Sequence, residues 1–147
     1  MKIILRNELI ITIIGCKEFN NYSFFEKNIY EVISPYLEKG YIITIREREI
    51  NDTDNFSILF CKENNFNLER YKVQWKEKGK SAGIWNAKAL IYGEDISEQR
   101  PTEILVVFLT SDMKEDRGIE FILEEFNSCI THKSELKEAD IRIFCED

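Results

Sequence analysis

Hydrophobic residues alternate along this chain between short continuous runs and longer stretches with helical spacing. A continuous, β-branched run covers Leu9 to Ile14, which is typical of a central parallel strand buried on both faces. Gly15 follows it. From Tyr22 to Lys39 the apolar residues recur at spacings of three and four, and Gly40 comes next. This second stretch predicts an amphipathic helix.

The same alternation continues to the end of the chain. Tyr41 to Ile45 predicts a strand, the charged stretch from Arg46 to Thr53 predicts a loop, and Asp54 opens a segment with helical spacing. The remaining predicted elements are a strand at Leu68–Val73, a helix near Trp85–Tyr92, a strand at Glu103–Leu109, a helix through Ile119–Phe126 and a strand at Asp140–Phe144.

Strands separated by helices are too far apart for tight hairpins, which favours a parallel sheet with right-handed crossovers. The sequence therefore predicts one α/β domain over residues 1–147, a three-layer Rossmann-like fold with a mostly parallel sheet of about five strands. Ligands of such sheets bind beyond the carboxyl ends of the strands. This rule directs attention to the loops after Ile14, Ile45 and Leu109.

Composition narrows the classes of function. With 44% hydrophobic residues the chain can bury a sizeable core, and its net charge of -7 disfavours general nucleic-acid binding. A small anionic ligand stays open, because local cations and backbone N–H groups can hold one on an acidic protein. No apolar stretch approaches the roughly 20 residues of a membrane span, so we expect no membrane association.

The cysteines are widely spaced, and His132 is the single histidine. The four thiols belong to Cys16, Cys61, Cys129 and Cys145. Without a C-x-x-C pair or further histidines we expect no metal site and no cofactor. Thiols placed in or beside apolar runs are typical of reduced cysteines, which favours a cytoplasmic location.

Three loops carry candidate ligand-binding residues. Gly15-Cys16-Lys17 follows the first strand, where free N–H groups and Lys17 suit a phosphate, although a plain turn with an inert thiol is the competing interpretation. The stretch Gly79 to Asn86 lacks the spacing of a phosphate loop, but Trp75 and Trp85 flank it and suit base stacking unless they belong to the core. Arg117-Gly118 opens the last helix and either clamps an anion or is a solvated helix start.

Taken in order, these motifs resemble the YspA-like, YpsA-related branch of the SLOG superfamily of Rossmann-like nucleotide-binding proteins. The matching stretches are Gly15-Cys16-Lys17-Glu18-Phe19, Asp54 with its following helix, Trp75 with Gly79-Lys80-Ser81-Ala82-Gly83 and Asn86, and Arg117-Gly118-Ile119. The resemblance spans roughly residues 9 to 126. It implies a nucleotide-derived ligand and a homo-oligomer.

The departures from that family favour binding over catalysis. Arg48 to Asp52 stands where the family has a glycine-rich loop whose backbone N–H groups hold a phosphate. The side chain of Arg46 or Arg48 is therefore expected to bind the phosphate in place of those N–H groups. Related Lonely Guy enzymes cleave nucleoside monophosphates with a glutamate, and Ile122 occupies that position here, on the predicted core face. A glycosidase needs a carboxylate near the sugar.

The leading hypothesis is therefore a non-catalytic protein that senses or sequesters an ADP-ribose-like or cyclic nucleotide signal, a role that the family's settings connect with virus–bacterium conflict. The residues expected to hold the ligand are Gly15, Cys16, Lys17, Arg46, Arg48, Asp54, Trp75, Lys80, Ser81, Asn86, Arg117 and Gly118. One alternative is a nucleotide-processing hydrolase of the Lonely Guy phosphoribohydrolase type with a site rebuilt from Glu18, Glu49, Asp52 and Asp54. The other is a decayed relative that binds a protein.

Overall fold

A computed structural model describes residues 7–49, 56–72, 79–93, 100–132 and 140–146, and for Lys80 and residues 131–132 it describes the backbone alone. The elements are β1 (Glu8–Gly15), α1 (Tyr22–Glu38), β2 (Ile42–Glu49), α2 (Phe56–Asn64), β3 (Asn67–Lys72), a 3-10 turn (Gly79–Ser81), α3 (Ala82–Tyr92), β4 (Ile104–Thr110), α4 (Arg117–His132) and β5 (Asp140–Glu146). The predicted α/β fold class is confirmed.

The described strands form one parallel sheet in the order β3-β2-β1-β4-β5. Thr12 of β1 donates to the Leu90 carbonyl of α3, whereas Phe108 of β4 meets Phe25 of α1 on the opposite face. Helices α1 and α2 therefore cover one face, and α3 and α4 cover the other. The strand order reverses between β1 and β4, so this is the switch point at which such sheets bind ligands.

The core lies on both sides of β1 and β4. Residues 9–14 of β1 are all buried, as are Ile104 to Phe108 of β4, and α1 adds Phe25, Ile29 and Ile33. Each fully buried aliphatic side chain contributes about 1.5–3 kcal/mol relative to an exposed one. The two unbroken apolar runs thus set the centre of the sheet, and their carboxyl ends lie side by side.

The predicted end of β2 is wrong. The strand does not stop at Ile45 but continues to Glu49, because its charged residues pair with β3 across the sheet. Arg46 meets Glu69 at 2.9 Å, and Glu47 meets Arg70 at 3.0 Å. Opposite charges at paired positions stabilise neighbouring strands. The remainder of the predicted loop, residues 50–53, lies outside the described residues.

The four cysteine thiols differ in burial. Cys16, Cys61 and Cys129 are buried, Cys145 on β5 is exposed, and all are free. Burial, with a contribution from Glu47, raises the pKa of the Cys61 thiol to about 12. In the described part of the chain no helix is both long enough and apolar enough to cross a bilayer.

Candidate functional site

A cavity opens at the carboxyl ends of β1, β2 and β4, and we call it the switch-point cavity. It is lined by Ile13, Ile14, Gly15, Cys16, Phe19, Phe25, Glu47, Arg48, Phe56, Ser57 and Phe108. Its volume is about 60 Å³, which is well below the roughly 300–1,000 Å³ of a pocket that encloses a small organic ligand. The cavity therefore suits one chemical group of a ligand, with the rest outside.

Arg48 is the cation of this cavity. Its side chain is 8% exposed, and its Nη2 donates to the Gly15 carbonyl at 3.2 Å and to Asp116 at 3.1 Å. Its Nε is buried and has no hydrogen-bond partner among the described residues. A buried donor without a partner costs about 1–3 kcal/mol. An acceptor from a bound ligand would remove that cost.

The first turn of α4 holds the guanidinium from the other side. Asp116 precedes the helix, and its second carboxylate oxygen accepts the N–H of Ile119 at 3.1 Å, so the same side chain caps α4 and anchors Arg48. A Cβ on Gly118 would collide with Nη1 of Arg48. The group that closely approaches Gly118 is therefore an arginine of the chain itself.

Aromatic rings form the apolar wall. Phe19, from the loop after β1, stacks on Phe108 at 4.9 Å between ring centroids, and Phe25 lies 5.2 Å from the same ring. The loop is fixed by hydrogen bonds from the Cys16 N–H to Phe108 O and from the Phe19 N–H to Cys16 O. The Cys16 sulfur is buried, 3.7 Å from the Thr110 hydroxyl, whereas Lys17 is exposed.

Glu47 provides a carboxylate in the same cavity. It is 9% exposed, and its Oε2 accepts from Nε of Arg70 at 3.0 Å. Arg70 in turn lies 4.0 Å from Glu49. The switch-point cavity thus combines one guanidinium and one carboxylate with aromatic walls, a set that can orient a polar group.

A second depression lies beyond β3, and we call it the edge cavity. It is lined by Arg70, Tyr71, Lys72, Ala82, Trp85, Asn86 and Ala89, with a volume of about 140 Å³. The Asn86 amide donates to the Tyr71 carbonyl at 3.1 Å and so fixes α3 against β3. Trp85 is 46% exposed. Ser81 precedes α3 and makes no side-chain capping bond with it.

Arg46 lies elsewhere, deep on the α3 side of the sheet. Its side chain has no exposed surface, and it donates to Glu69, to the Ile91 carbonyl at 3.2 Å and to Thr102 at 3.3 Å. Burial by itself raises the pKa of Glu69, but hydrogen bonds from Tyr71, Arg46 and Arg100 outweigh it, so the pKa is lowered. Arg46 therefore ties β2 to α3 and does not reach either cavity.

The other predicted site residues divide as follows. Gly15, Cys16 and Arg48 line the switch-point cavity with Gly118 beside them, and Asn86 lines the edge cavity. Arg117 is exposed, 3.7 Å from Glu120 and over the Phe121 ring. Asp54, Trp75 and the side chain of Lys80 lie outside the described residues.

Sequence reasoning missed several lining residues. Glu47, Ser57 and Phe108 were not among the candidates, although all three line the switch-point cavity. The alternating Arg-Glu-Arg-Glu of residues 46–49 has the strand period of two, and this signal could have extended β2 to Glu49 and so placed Glu47 and Arg48 together at its carboxyl end. Ser57 and Phe108 have no such local signal, because only the fold brings them together.

No protein-family model, curated protein or solved structure matches this chain. The fold and the two cavities together define a Rossmann-like α/β domain with a polar, aromatic-walled cavity at its switch point.

Proposed function

We propose that this chain is a divergent SLOG-type domain that binds a nucleotide-derived small molecule, such as an ADP-ribose-like or cyclic nucleotide, at the carboxyl ends of its strands without turning it over. Its parallel sheet with a reversal between β1 and β4 supports this location. The resemblance of its loop motifs to SLOG proteins supports the class of ligand. Sensing or sequestering the ligand follows from binding without turnover.

One observation carries the proposal. Nε of Arg48 is buried in a cavity-lining side chain and has no partner among the described residues. The rest of the guanidinium is held rigidly by the Gly15 carbonyl and by Asp116, so the donor is already oriented before a ligand arrives. A phosphate or other anionic oxygen makes a charge-assisted hydrogen bond with such a donor.

In this proposal the Arg48 side chain binds the anion, in place of the glycine-rich loop of the family. The Asp116 carboxylate both caps α4 and neutralises part of the Arg48 charge, so the N–H of Ile119 is already taken and does not bind a phosphate. An inorganic anion gains little at a guanidinium that is already paired. The site therefore suits an anionic group that is delivered by a larger molecule with contacts of its own.

Binding without turnover is favoured by the position of Ile122. This residue stands where related hydrolases carry their glutamate, and it is 1% exposed in the core of α4. Of the acids in the alternative site, Glu18 lies near the backbone N–H of Lys114 and Glu49 lies near Arg70. Asp52 and Asp54 lie outside the described residues.

The test is a thermal-shift and native mass spectrometry screen of the purified chain against nucleoside monophosphates, cyclic mononucleotides and dinucleotides, and ADP-ribose. At least one of these compounds is expected to raise Tm and to appear as a one-to-one complex. No stabilisation by any compound would overturn the proposal. Chromatography of the same mixtures after incubation separates binding from hydrolysis, since a hydrolase would release the free base or a dephosphorylated product.

A further inference from the structure

Strand β5 forms one edge of the described sheet, because the strand order ends there after β4. The Asp140 N–H donates at 3.1 Å to the residue before β4, and the Glu146 carbonyl accepts at 3.1 Å from the residue after it. Backbone groups alternate in direction from one residue to the next along a parallel strand. The residues between these two whose backbone groups point away from β4 are therefore Ile141, Ile143 and Cys145.

Two of these edge positions are accessible to a partner. Ile143 is 56% exposed, more than any other large hydrophobic residue in the described part of the chain, and Cys145 is exposed as well. The Ile141 N–H is already taken, because the Asp140 side chain accepts it at 2.9 Å. A strand edge with outward backbone groups and an exposed apolar side chain is a template for a further strand.

The sequence of β5 is complementary to itself when a second copy runs antiparallel to it. A two-fold axis through Phe144 places Arg142 opposite Glu146 on both sides of the axis and Phe144 opposite its own counterpart. On the other face of the sheet Ile143 lies opposite Cys145 of the second copy, and these two residues exchange both backbone hydrogen bonds. Opposite charges and aromatic pairs at facing positions stabilise an antiparallel pair.

Neighbouring registers lack this complementarity. An axis through Ile143 places Asp140 opposite Glu146, and an axis through Arg142 places that arginine opposite itself. Like charges at facing positions are destabilising. An axis through Cys145 places Glu146 opposite an aromatic ring and leaves it without a counter-charge. Charge therefore selects the register centred on Phe144.

Both charged side chains of that register are available to a second copy. Arg142 is 53% exposed and pairs with Asp140 of its own strand. Glu146 accepts a hydrogen bond from the Asn21 amide at the surface. Surface contacts of this kind contribute little to stability, so both side chains can turn toward a partner at small cost.

We infer that two copies of this chain associate through β5, in an antiparallel pairing centred on Phe144 that joins their sheets into one. The inference does not rest on the proposed function, since the described lining of the switch-point cavity contains no residue of β5. One pair of strand edges makes a small interface, so we expect a weak dimer whose population depends on concentration.

Sedimentation velocity of the full chain without nucleotide, over about a hundred-fold range of concentration, tests this dimer. Wild type is expected to shift from monomer to dimer as the concentration rises. Ile143→Lys places a charge at the centre of the edge and is expected to raise the dimer Kd at least about ten-fold. Leu59→Lys, at an exposed apolar residue of α2, is the matched control and should dimerise like wild type.

A proline tests the backbone bonds directly. Because the Ile143 N–H points away from β4, Ile143→Pro removes an outward donor and leaves the hydrogen bonds between β4 and β5 in place. The variant is expected to keep the circular dichroism spectrum of wild type and to stay monomeric.

Charge reversal tests the register. Arg142→Glu and Glu146→Arg each place like charges at facing positions, so each is expected to raise the dimer Kd about five-fold. The double variant restores opposite charges and should dimerise like wild type. A double variant that dimerises no better than the single ones would overturn the pairing centred on Phe144.

Two further results would overturn the inference. One is a wild-type chain that stays monomeric over the whole range, which would leave the β5 edge to a strand of another protein. The other is a dimer that forms equally well in folded Ile143→Lys, because its interface must then lie elsewhere. Nucleotide binding to wild type is measured separately, so failure of the dimer leaves the proposed function standing.

Discussion

The guanidinium of Arg48 on β2 occupies the space in which a Cβ of Gly118 on α4 would lie. Strand β2 and helix α4 therefore pack closely at the switch point, because Gly118 has no side chain and the Arg48 guanidinium fills the space beside it. The Asp116 carboxylate, two residues before the glycine, completes the contact at 3.1 Å. The glycine is thus explained by the position of the arginine, and both together shape the proposed site.

The substitution Gly118→Ala tests this packing. The new methyl group must displace Arg48 or the start of α4, so we expect a loss of about 1–3 kcal/mol in the free energy of unfolding and a loss of ligand binding. Urea unfolding followed by circular dichroism measures the first effect. In an Arg48→Ala background the methyl group meets no guanidinium, so the double-mutant cycle should show a much smaller cost. Additive costs would contradict the contact.

Glu69 is expected to make stability depend on pH. Its pKa is lowered in the folded chain, so its contribution is fully present above the unfolded pKa of about 4.3 and is lost as the pH falls through the folded value. Glu69→Gln also leaves the fully buried Arg46 without a counter-ion, which we expect to cost about 2–3 kcal/mol at pH 7.

Urea midpoints of wild type and Glu69→Gln at pH 7, 5, 4 and 3 check this expectation. The difference between the two proteins should be constant at the upper two values and should narrow at the lower two. A difference that stays the same across the whole range would show that the Glu69 carboxylate does not stabilise the fold through its charge.

Thiol labelling tests the burial pattern. Cys145 is the exposed cysteine, whereas Cys16, Cys61 and Cys129 are buried. Because the thiolate is the reactive form, the raised pKa of about 12 slows Cys61 further. Native protein treated with a thiol-reactive disulfide reagent should be modified first at Cys145, as read by peptide mass spectrometry. Cys145→Ser should remove the fast phase, and rapid labelling of Cys61 would contradict the fold around α2.

Local patterns predicted the central elements because those elements are defined by burial. The apolar run of β1 and the three-and-four spacing of α1 each create an apolar surface that must be buried in the core, and such a surface can be recognised from the sequence alone. The extension of β2 over Arg46 to Glu49 escaped prediction, because charged residues in sequence indicate a loop until their partners on β3 are known. Those partners lie more than twenty residues away, at Glu69 and Arg70.

The sequence likewise predicted only some of the residues that line the candidate site. Gly15, Cys16 and Arg48 follow from the rule that ligands bind at strand ends, and they do line one cavity. Arg46 looks equivalent to Arg48 in the sequence, yet its side chain has no exposed surface. The two arginines point to the same face of β2. Arg46 is buried because it lies farther from the carboxyl end of the strand, whereas Arg48 lies close to that end and lines the cavity.

The most direct test of the account is the affinity of Arg48→Gln for the nucleotide that wild type binds most tightly, measured by isothermal titration. Loss of a charged hydrogen-bond donor should raise Kd by at least about ten-fold, and Arg48→Lys, which keeps the charge but lacks Nε, should also weaken binding. Arg142→Gln, on the exposed face of β5, is the matched control and should leave Kd unchanged. Wild-type affinity in folded Arg48→Gln and Arg48→Lys would contradict the central claim.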